Sequence, residues 1–237
     1  ILNISFSSLN FATEETVSAL SRALSAYLLE RRWYRDKTRV IRGITITDIL
    51  RFPDVSQAVL LLRVDYQDGE PQQYLLPVAL GTTSSGGRPI VTLRTDMGQP
   101  AFLSEPVADP SLYNQFLELI REDSYLKGTH GKLTGLSSPA LPQILPSSDP
   151  IPEAHLSIAE QSNTSVIFGD RLILKLFRKL EPGINPDIEI GRYLTGKQFT
   201  HTPALAGSWE YKSETGEAMY AGILQQFVPT QGDAWQY

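Results

Sequence analysis

The chain contains no cysteine and only three histidines, His130, His155 and His201, among its 237 residues. Without thiols it can form neither disulfides nor thiolate metal sites, and no two histidines have metal-ligand spacing. No apolar run reaches the ~20 residues that cross a bilayer, and the first residues lack the basic region and cleavage site of a signal peptide. These absences predict a cytoplasmic protein without a structural metal site.

A strong positive charge is also missing, since the formal net charge is −5 and the pI is about 5.3. This balance argues against general binding to nucleic acid or to a membrane surface. Hydrophobic residues make up 41% of the chain, which is enough to bury a core in one large domain or two small ones.

The first region, residues 1–105, has the pattern of a small α+β unit. An apolar stripe at helical spacing over 13–30 predicts one amphipathic helix, with Thr13 as a suitable N-cap. Alternating and apolar runs follow, and two of them flank a turn at Asp68-Gly69, which is a hairpin signal. We therefore expect one helix packed on an antiparallel sheet.

The second region, residues 106–152, is predicted to connect this unit to the next. Asp109-Pro110 opens a helix, with aspartate as the N-cap and proline at the first helical position. From Gly128 to Pro152 the sequence is rich in Gly, Ser and Pro, a composition typical of a loop or linker. We expect a helix followed by an irregular connector.

The third region, residues 153–237, has a different order of elements. Three short strand patterns come first, HLSIAE, SVIF and RLILKLF. Asn185-Pro186 then opens a helix that ends at about Thr195, again with a capping residue followed by proline. Two further strand patterns flank an SETGE turn. The expected unit is a five-stranded sheet with one main helix, so the predicted fold class is α+β throughout.

Lys175 is unusual because it lies inside the apolar strand RLILKLF. Side chains alternate between the faces of a strand, so Lys175 shares its face with Ile173 and Phe177. A carboxylate on a helix packed against that face would offset the cost of removing the ammonium from water. Glu189, in the first turn of the next helix, is the best candidate. The ordinary alternative is a half-exposed lysine whose stem lies on the sheet.

A cluster of small polar residues precedes this strand, between two strand patterns, and comprises Ser162, Asn163, Thr164 and Ser165. A turn of this kind can direct backbone N–H groups and hydroxyls at phosphate oxygens. The cluster does not follow the spacing of the common glycine-rich phosphate loops, and most clusters of this composition are plain turns.

Together these features match the N-terminal lobe of a kinase. A long segment resembles the bacterial maltokinase family, namely EQSNTSVIFGDRLILKLFRKLEPGINPDIEIGRYL. That family has an aminoglycoside-phosphotransferase-like kinase fold, and its members often occur fused to trehalose synthase. Nearer the start of the chain, the segment YLLERRWYRDKTRVI resembles the N-terminal cap subdomain of the same family. The resemblance implies a cystatin-like cap over 1–105 and a kinase-like N-terminal lobe over 153–237, joined by 106–152.

The resemblance also implies roles for individual residues. The turn Ser162–Ser165 would cover the phosphates of ATP, Lys175 would hold the α- and β-phosphates, and Glu189 would orient Lys175. The backbone near Gln226 and Val228 would form the hinge that faces the adenine. Magnesium would bridge the phosphates.

Catalytic residues are missing from this sequence. The resemblance implies that the aspartate of an HGDxHxxQ-like loop and a later metal-binding aspartate belong to a C-terminal lobe, and neither motif occurs here. We therefore expect the chain to provide only the nucleotide-binding half and to be inactive alone. The implied parent reaction converts maltose and ATP to maltose 1-phosphate, with maltose bound by the C-terminal lobe and trehalose synthase as a possible partner.

Other interpretations stay open on the sequence. One is a kinase of the same fold that acts on an aminoglycoside or a choline-like amine, and another is a non-catalytic nucleotide-binding or interaction module. A carbohydrate-binding domain is suggested by Trp33, Trp209 and Trp235. The basic cluster around Trp33 and Tyr34 could bind phosphate or an acidic partner. The interpretation that we favour places these aromatics in the core with arginines at its rim.

Overall fold

The structure is a computed structural model that describes residues 2–4, 14–53, 56–82, 89–95, 98–106, 109–157 and 163–229. Within these ranges the chain forms two seven-stranded sheets that share a hydrophobic core. The predicted α+β class is confirmed.

The first sheet carries one long helix, α1 (Glu14–Glu30), as the sequence predicts. Its own strands are β1 (Leu2–Ile4), β2 (Ile41–Arg51), β3 (Gln57–Tyr66), β4 (Gln72–Gly81), β5 (Val91–Thr95) and β6 (Pro100–Ser104). They are arranged in the order β1-β5-β6-β4-β3-β2, antiparallel except for the β1–β5 pair. Thr13 lies outside the described residues.

Strand β3 is buried on both faces, which explains its nearly continuous apolar sequence QAVLLLRVDY. On one face Leu60 and Leu62 join the core under helix α1, where the helix contributes Leu20 and Leu24. The other face contributes Val59 and Leu61 to a second core, together with residues from the rest of the chain. The first sheet is therefore covered on both sides.

The second sheet follows helix α2 (Pro110–Arg121). Its strands are β7 (Tyr125–Lys127), β8 (Gly131–Ser137), β9 (Ala154–Ser157), β10 (Asn163–Phe168), β11 (Leu172–Phe177), β13 (Leu205–Ser213) and β14 (Met219–Gln226). Their order is β7-β8-β13-β14-β11-β10-β9, and every pair is antiparallel. A short helix, α3 (Leu141–Ile144), follows β8, and α4 (Pro186–Gly196) lies between β11 and β13. The two-residue strand β12 (Lys179–Leu180) crosses to the first sheet and pairs with β4.

The prediction of an irregular connector is wrong for Gly131–Ser137 and Leu141–Ile144, which form β8 and α3. The glycines that suggest a linker have a packing role. A Cβ at Gly135 would lie 2.1 Å from the carbonyl oxygen of Leu119, so only glycine lets α2 approach β8 this closely. The five predicted strands are present side by side, and the β7–β8 hairpin extends their sheet to seven.

Residues from all three predicted regions share one core. It contains Leu61 from the first sheet, Phe116 from α2, and Leu174 and Trp209 from the second sheet. The Trp209 ring is fully buried, meets Phe116 edge to face at 5.7 Å, and donates its N–H to the carbonyl of Phe116 at 2.9 Å. The first sheet thus packs directly behind the second.

A buried carboxylate also joins the two sheets. Asp48 of β2 is 3% exposed and accepts the backbone N–H of Thr129 at 2.7 Å and the hydroxyl of Tyr211 at 2.9 Å. Gly128 borders it, and a Cβ there would lie 2.3 Å from the carboxylate. These hydrogen bonds offset the cost of removing the carboxylate from water. They also anchor the β7–β8 turn and β13 to the first sheet.

Candidate nucleotide site

Strand β11 separates two different surfaces. Leu172, Leu174 and Leu176 are fully buried on the back face, inside the core shared with the first sheet. Ile173 and Lys175 are half-buried on the opposite side, which we call the front face of the second sheet. The alternation predicted from the sequence is therefore present, and it directs Lys175 away from the core behind the sheet.

Lys175 lies in the middle of a cross-strand row. The pairing register places Ser165 of β10 on one side of it and Ile223 of β14 on the other, and Ser208 of β13 follows next. Directly paired residues project from the same face of a sheet. Ser165 and Ile223 are each 1% exposed, so Lys175 emerges between closely packed neighbours.

Helix α4 lies on the same front face as Lys175. The side chain of Asn185 caps the helix by accepting the N–H of Asp187 at 2.9 Å, as the Asn-Pro pair predicts. Ile188 is fully buried and packs with Phe177 and Ile223 of the sheet. The helix that follows the lysine strand is thus held against the face from which the lysine projects.

Glu189 comes directly after Ile188 in the first turn of α4 and is exposed. Among the ion pairs between residues that the structure describes, none joins Glu189 to Lys175. Both groups belong to the same side of the sheet, but their pairing stays a prediction.

The residues of the predicted phosphate turn do not form one turn in the described structure. Ser162 lies outside the described residues, whereas Asn163, Thr164 and Ser165 form the start of strand β10 rather than a turn. Ser165 is directly paired with Lys175 and projects from the same front face. Thr164 projects from the back face and its hydroxyl binds Arg178, so the geometry does not favour Thr164 as a phosphate contact.

A buried polar cluster lies on the back face, directly behind this region. Arg178, one residue beyond β11, is 2% exposed, and its Nε donates to the hydroxyl of Thr164 at 3.0 Å. The guanidinium also donates to the carboxylate of Glu105, which accepts the hydroxyl of Tyr27 from helix α1. The ring of Trp33 lies 5.1 Å from the guanidinium carbon. This cluster ties the lysine strand to the first sheet.

The sequence analysis missed Arg178 and Glu105 as members of a site. One signal was present, because the alternation that directs Lys175 forward also puts residue 178 on the apolar back face with Leu174 and Leu176. A cation on a core face requires a buried partner. Nothing in the local pattern identifies Glu105 as that partner, since it lies 73 positions earlier.

The predicted hinge follows strand β14. The backbone N–H of Gln226 donates to Ala204 at 2.8 Å, and that of Phe227 donates to Arg171 at 2.8 Å. The side chains of Gln226 and Val228 are exposed. These two N–H groups are already bonded within the protein and are therefore poor candidates for a contact with adenine. Of the predicted hinge, this leaves the backbone at Val228 as the candidate.

A cleft of about 850 Å³ opens beside the hinge, between β8, α3 and the end of α4. Its lining includes Ser138, Arg192, Phe199 and Gln226. Lys175 is not part of this lining. The cleft therefore adjoins the predicted nucleotide face without containing its central cation.

Two buried tyrosines border the contacts between the sheets. Burial raises the pKa of Tyr27 well above its usual value, and the neighbouring Glu105 carboxylate adds to this effect. Burial likewise raises the pKa of Tyr211, with a further contribution from its hydrogen bond to Asp48. Both hydroxyls are therefore neutral hydrogen-bond donors to a carboxylate across the physiological range.

The described ranges hold no group of three His, Asp or Glu side chains placed to bind a metal ion. In the same ranges, no helix has both the length and the apolar character to span a membrane.

A meander of three strands with a lysine in the third, a helix on the lysine face and two more strands is the architecture of a kinase-type nucleotide lobe. Comparison with solved structures agrees. The chain matches "Glucosamine kinase (crystal form A)" with a TM-score of 0.54 at 14% identity, over 93% of this chain and 43% of that one. It matches "Glucosamine kinase in complex with glucosamine, ADP and inorganic phosphate" with 0.53 at 15% identity, over 92% and 42%. The fold is thus kinase-like, and the chain spans less than half the length of these structures.

The first sheet has a more specific relationship. Residues 27–99 match the family described as the maltokinase N-terminal cap domain. The match covers most of the unit that packs behind the second sheet and includes the aromatic and basic cluster at Trp33. The predicted resemblance to the maltokinase cap is confirmed.

The structure also decides the interpretation of the aromatic residues. Tyr34 is fully buried and Trp33 packs against the core beneath α1, while Arg39 lies 3.5 Å above the ring of Tyr66. This confirms that the aromatics belong to the core and the arginines to its rim. Trp209 is fully buried, which argues against a tryptophan platform for carbohydrate, and Trp235 lies outside the described residues.

Proposed function

We propose that this chain supplies the nucleotide-binding half of an ATP-dependent sugar kinase, whose acceptor is maltose and whose product is maltose 1-phosphate. The observation that carries the proposal is the position of Lys175, which projects from the centre of the front face on the side where helix α4 packs. The cap match over 27–99 supports maltose as the acceptor.

In this proposal Lys175 binds the α- and β-phosphates as a point charge, and Ser165 lies beside it on the same face. Ser162, together with Asn163 at the start of β10, is proposed to cover the phosphates. Ile167 and Ile173, directly paired and half-buried, form an apolar roof for the adenine. Of the predicted hinge at Gln226 and Val228, the backbone at Val228 faces the edge of the base, because the N–H groups of Gln226 and Phe227 are bonded within the protein.

Glu189 is proposed to approach Lys175 when nucleotide binds. Its place in the first turn of α4, next to the buried Ile188, puts it on the helix that packs against the face from which Lys175 projects.

Magnesium would neutralise charge on the phosphates during transfer. The described residues hold no cluster of carboxylates that fits this ion. We therefore assign its ligands, and the aspartate that accepts the acceptor hydroxyl proton, to a C-terminal lobe, in keeping with the greater length of the kinase structures. The chain alone should bind nucleotide weakly and should not turn over. A cytoplasmic location and a trehalose synthase partner, with a role in glycogen and trehalose metabolism, belong to the same proposal.

The test uses the natural polypeptide that carries this chain, with ADP binding measured by calorimetry. Lys175→Met should weaken binding by about tenfold or more, because a charge-assisted phosphate contact is removed. Lys212→Met is the matched control, since Lys212 is an exposed lysine in a strand of the same sheet. Equal affinities in both variants would refute the role of Lys175.

An amino sugar is the second candidate acceptor, because the matching solved structures are glucosamine kinases that cover nearly the whole chain. A coupled assay with ATP and either maltose or glucosamine separates the two. We expect phosphorylation of maltose at its anomeric hydroxyl, and turnover with glucosamine alone would assign the protein to the second class. No turnover with either sugar would favour an aminoglycoside or choline-like acceptor, or a non-catalytic module.

A further inference from the structure

The cleft of about 850 Å³ between β8, α3 and the end of α4 is separate from Lys175, the centre of the proposed nucleotide site. Its volume lies within the range of sites that bind small molecules, which is about 300–1,000 Å³. Its walls come from segments that are distant in the chain, since the lining extends from Leu136 in β8 to Gln226 at the end of β14. The fold therefore forms this cleft in addition to the nucleotide face.

The lining of the cleft is polar but almost without charge. Among the described residues that line it, Arg192 is the single charged side chain. A nucleotide or another polyanion would require several cations, and a metal ion would require carboxylates. The other polar side chains of the described lining are hydroxyls and amides. This chemistry favours a neutral ligand that carries hydroxyl groups.

Three glutamines line the cleft from three separate elements. Gln143 belongs to α3, Gln198 follows α4, and Gln226 is the last residue of β14. All three side chains are exposed, so their amides are accessible to a ligand. Each amide offers two N–H donors and a carbonyl acceptor, and each sugar hydroxyl both donates and accepts a hydrogen bond. The three amides are therefore suited to a ligand with several hydroxyls.

An aromatic ring also lines the cleft. Phe199 is 47% exposed, and its ring contacts the ring of His201 edge to face with the centroids 5.5 Å apart. The electron-rich face of such a ring attracts the C–H groups on the less polar side of a sugar. An accessible ring beside several amides is the combination that recognises a carbohydrate.

The backbone at Gln198 supports a ligand site independently. Its φ is 55°, and the N–H groups of Gln198 and Phe199 donate to Thr195 and Leu194, each at 3.0 Å. This is the Schellman ending of a helix, in which glycine usually occupies the left-handed position. A glutamine adopts this conformation at a cost that glycine avoids. Strain of this kind is concentrated at functional sites, and here it lies at the cleft.

We infer that this cleft is an accessory carbohydrate site, which binds a neutral oligosaccharide through its three glutamines and the ring of Phe199. The site is distinct from the acceptor site, which the proposed function assigns to a C-terminal lobe. Binding at the cleft requires neither ATP nor turnover, so its test does not depend on the proposed function.

The experiment measures the binding of maltotriose and of cellotriose to the natural polypeptide by calorimetry, without nucleotide. We expect at least one of these neutral trisaccharides to bind. Phe199→Ala should weaken that binding about tenfold or more, because an aromatic contact surface is removed. Tyr125→Ala is the matched control, since Tyr125 is an exposed aromatic residue outside the cleft, and it should change the affinity by less than about twofold. No binding of either trisaccharide, or equal affinity in Phe199→Ala and the unmodified protein, would overturn the inference.

Gln198→Gly separates a ligand contact from a structural role. Glycine relieves the left-handed backbone, so the variant should resist urea at least as well as the unmodified protein. It should nevertheless bind the trisaccharide severalfold more weakly, because one of the three amides is removed. Unchanged affinity in this variant would overturn the inference.

Hydrogen exchange locates the bound sugar. With the trisaccharide present, the amides of 138–145 and 194–204 should exchange more slowly, while those of β10 and β11 should be unchanged. Protection confined to other segments would mean that the sugar occupies only the acceptor site, and it would overturn the inference. If the unmodified protein binds no ADP but shows protection at the cleft, the proposed function fails and the carbohydrate site stands.

Discussion

The two faces of the second sheet differ in burial and in composition. The back face presents leucines that are fully buried against α2 and the cap, whereas the front face presents half-buried Ile173 and Lys175 and carries one short helix. Helix α4 has a single buried residue, Ile188. The back face holds the fold together, and the front face is covered less completely.

The largest loss of stability is expected from a back-face substitution in strand β11. Leu174→Ala removes a fully buried side chain from the shared core and should lower the free energy of unfolding by about 3 kcal/mol. Urea denaturation of the chain measures this change. A loss below about 1 kcal/mol would mean that the two sheets do not depend on a common core.

Ile188→Ala tests the attachment of α4 to the front face. The residue is fully buried, but its cluster has only five members and the helix can settle into the space, so we expect a loss of about 2 kcal/mol. Exchange of the amides in Pro186–Gly196 should rise while the back-face strands stay protected. Loss of protection across the entire sheet would contradict the separation of the two faces.

Alkaline pH tests the tyrosines at the junction between the sheets. The raised pKa of Tyr211 keeps it protonated in the folded state, whereas an exposed tyrosine in the unfolded state ionises near pH 10. The unfolded state then binds fewer protons, so stability is intact below pH 10 and falls above it. At pH 11 this tyrosine should account for about 1.4 kcal/mol of the loss.

Comparison of Tyr211→Phe with the unmodified chain isolates that contribution. The variant should lose less stability between pH 9 and pH 11, as measured by denaturant midpoints at each pH. Identical pH profiles would mean that Tyr211 ionises in the folded state as easily as in water, which its 3% exposure argues against.

The smallest effect on stability is expected at the front face. Ile173→Ala removes a half-buried side chain next to Leu174 and should cost about 1 kcal/mol or less. If Ile173 roofs the adenine, the same variant should weaken ADP binding severalfold in the natural polypeptide. A stability loss as large as that of Leu174→Ala would remove the distinction between the faces.

Local patterns predict the elements well in this chain. Asp109-Pro110 and Asn185-Pro186 both cap helices, with the aspartate and asparagine oxygens accepting the expected N–H groups. The strand lysine projects opposite its leucine neighbours as alternation requires. These features depend on residues a few positions apart, and the sequence displays them directly.

The connector was predicted incorrectly because composition is a poor guide where glycine serves packing. Gly135 looks like a loop residue in sequence, but in the fold it makes room for the backbone of α2. That requirement exists only once the helix lies on the strand. The seven-residue pairing of β8 with β13, some seventy positions later, is equally invisible to a local pattern.

The sequence by itself determined three of the four described helices, most of the described strands and the face on which Lys175 lies, because short-range periodicity and capping chemistry specify them. The likeness to a kinase lobe came from a family resemblance over a long segment. Only the tertiary structure decided that the cap packs behind the lysine strand and that Glu105 is the ion-pair partner of Arg178. The physical reason is that a buried charge demands a partner without saying where in the chain that partner is. Its location follows from how the two sheets close on their common core.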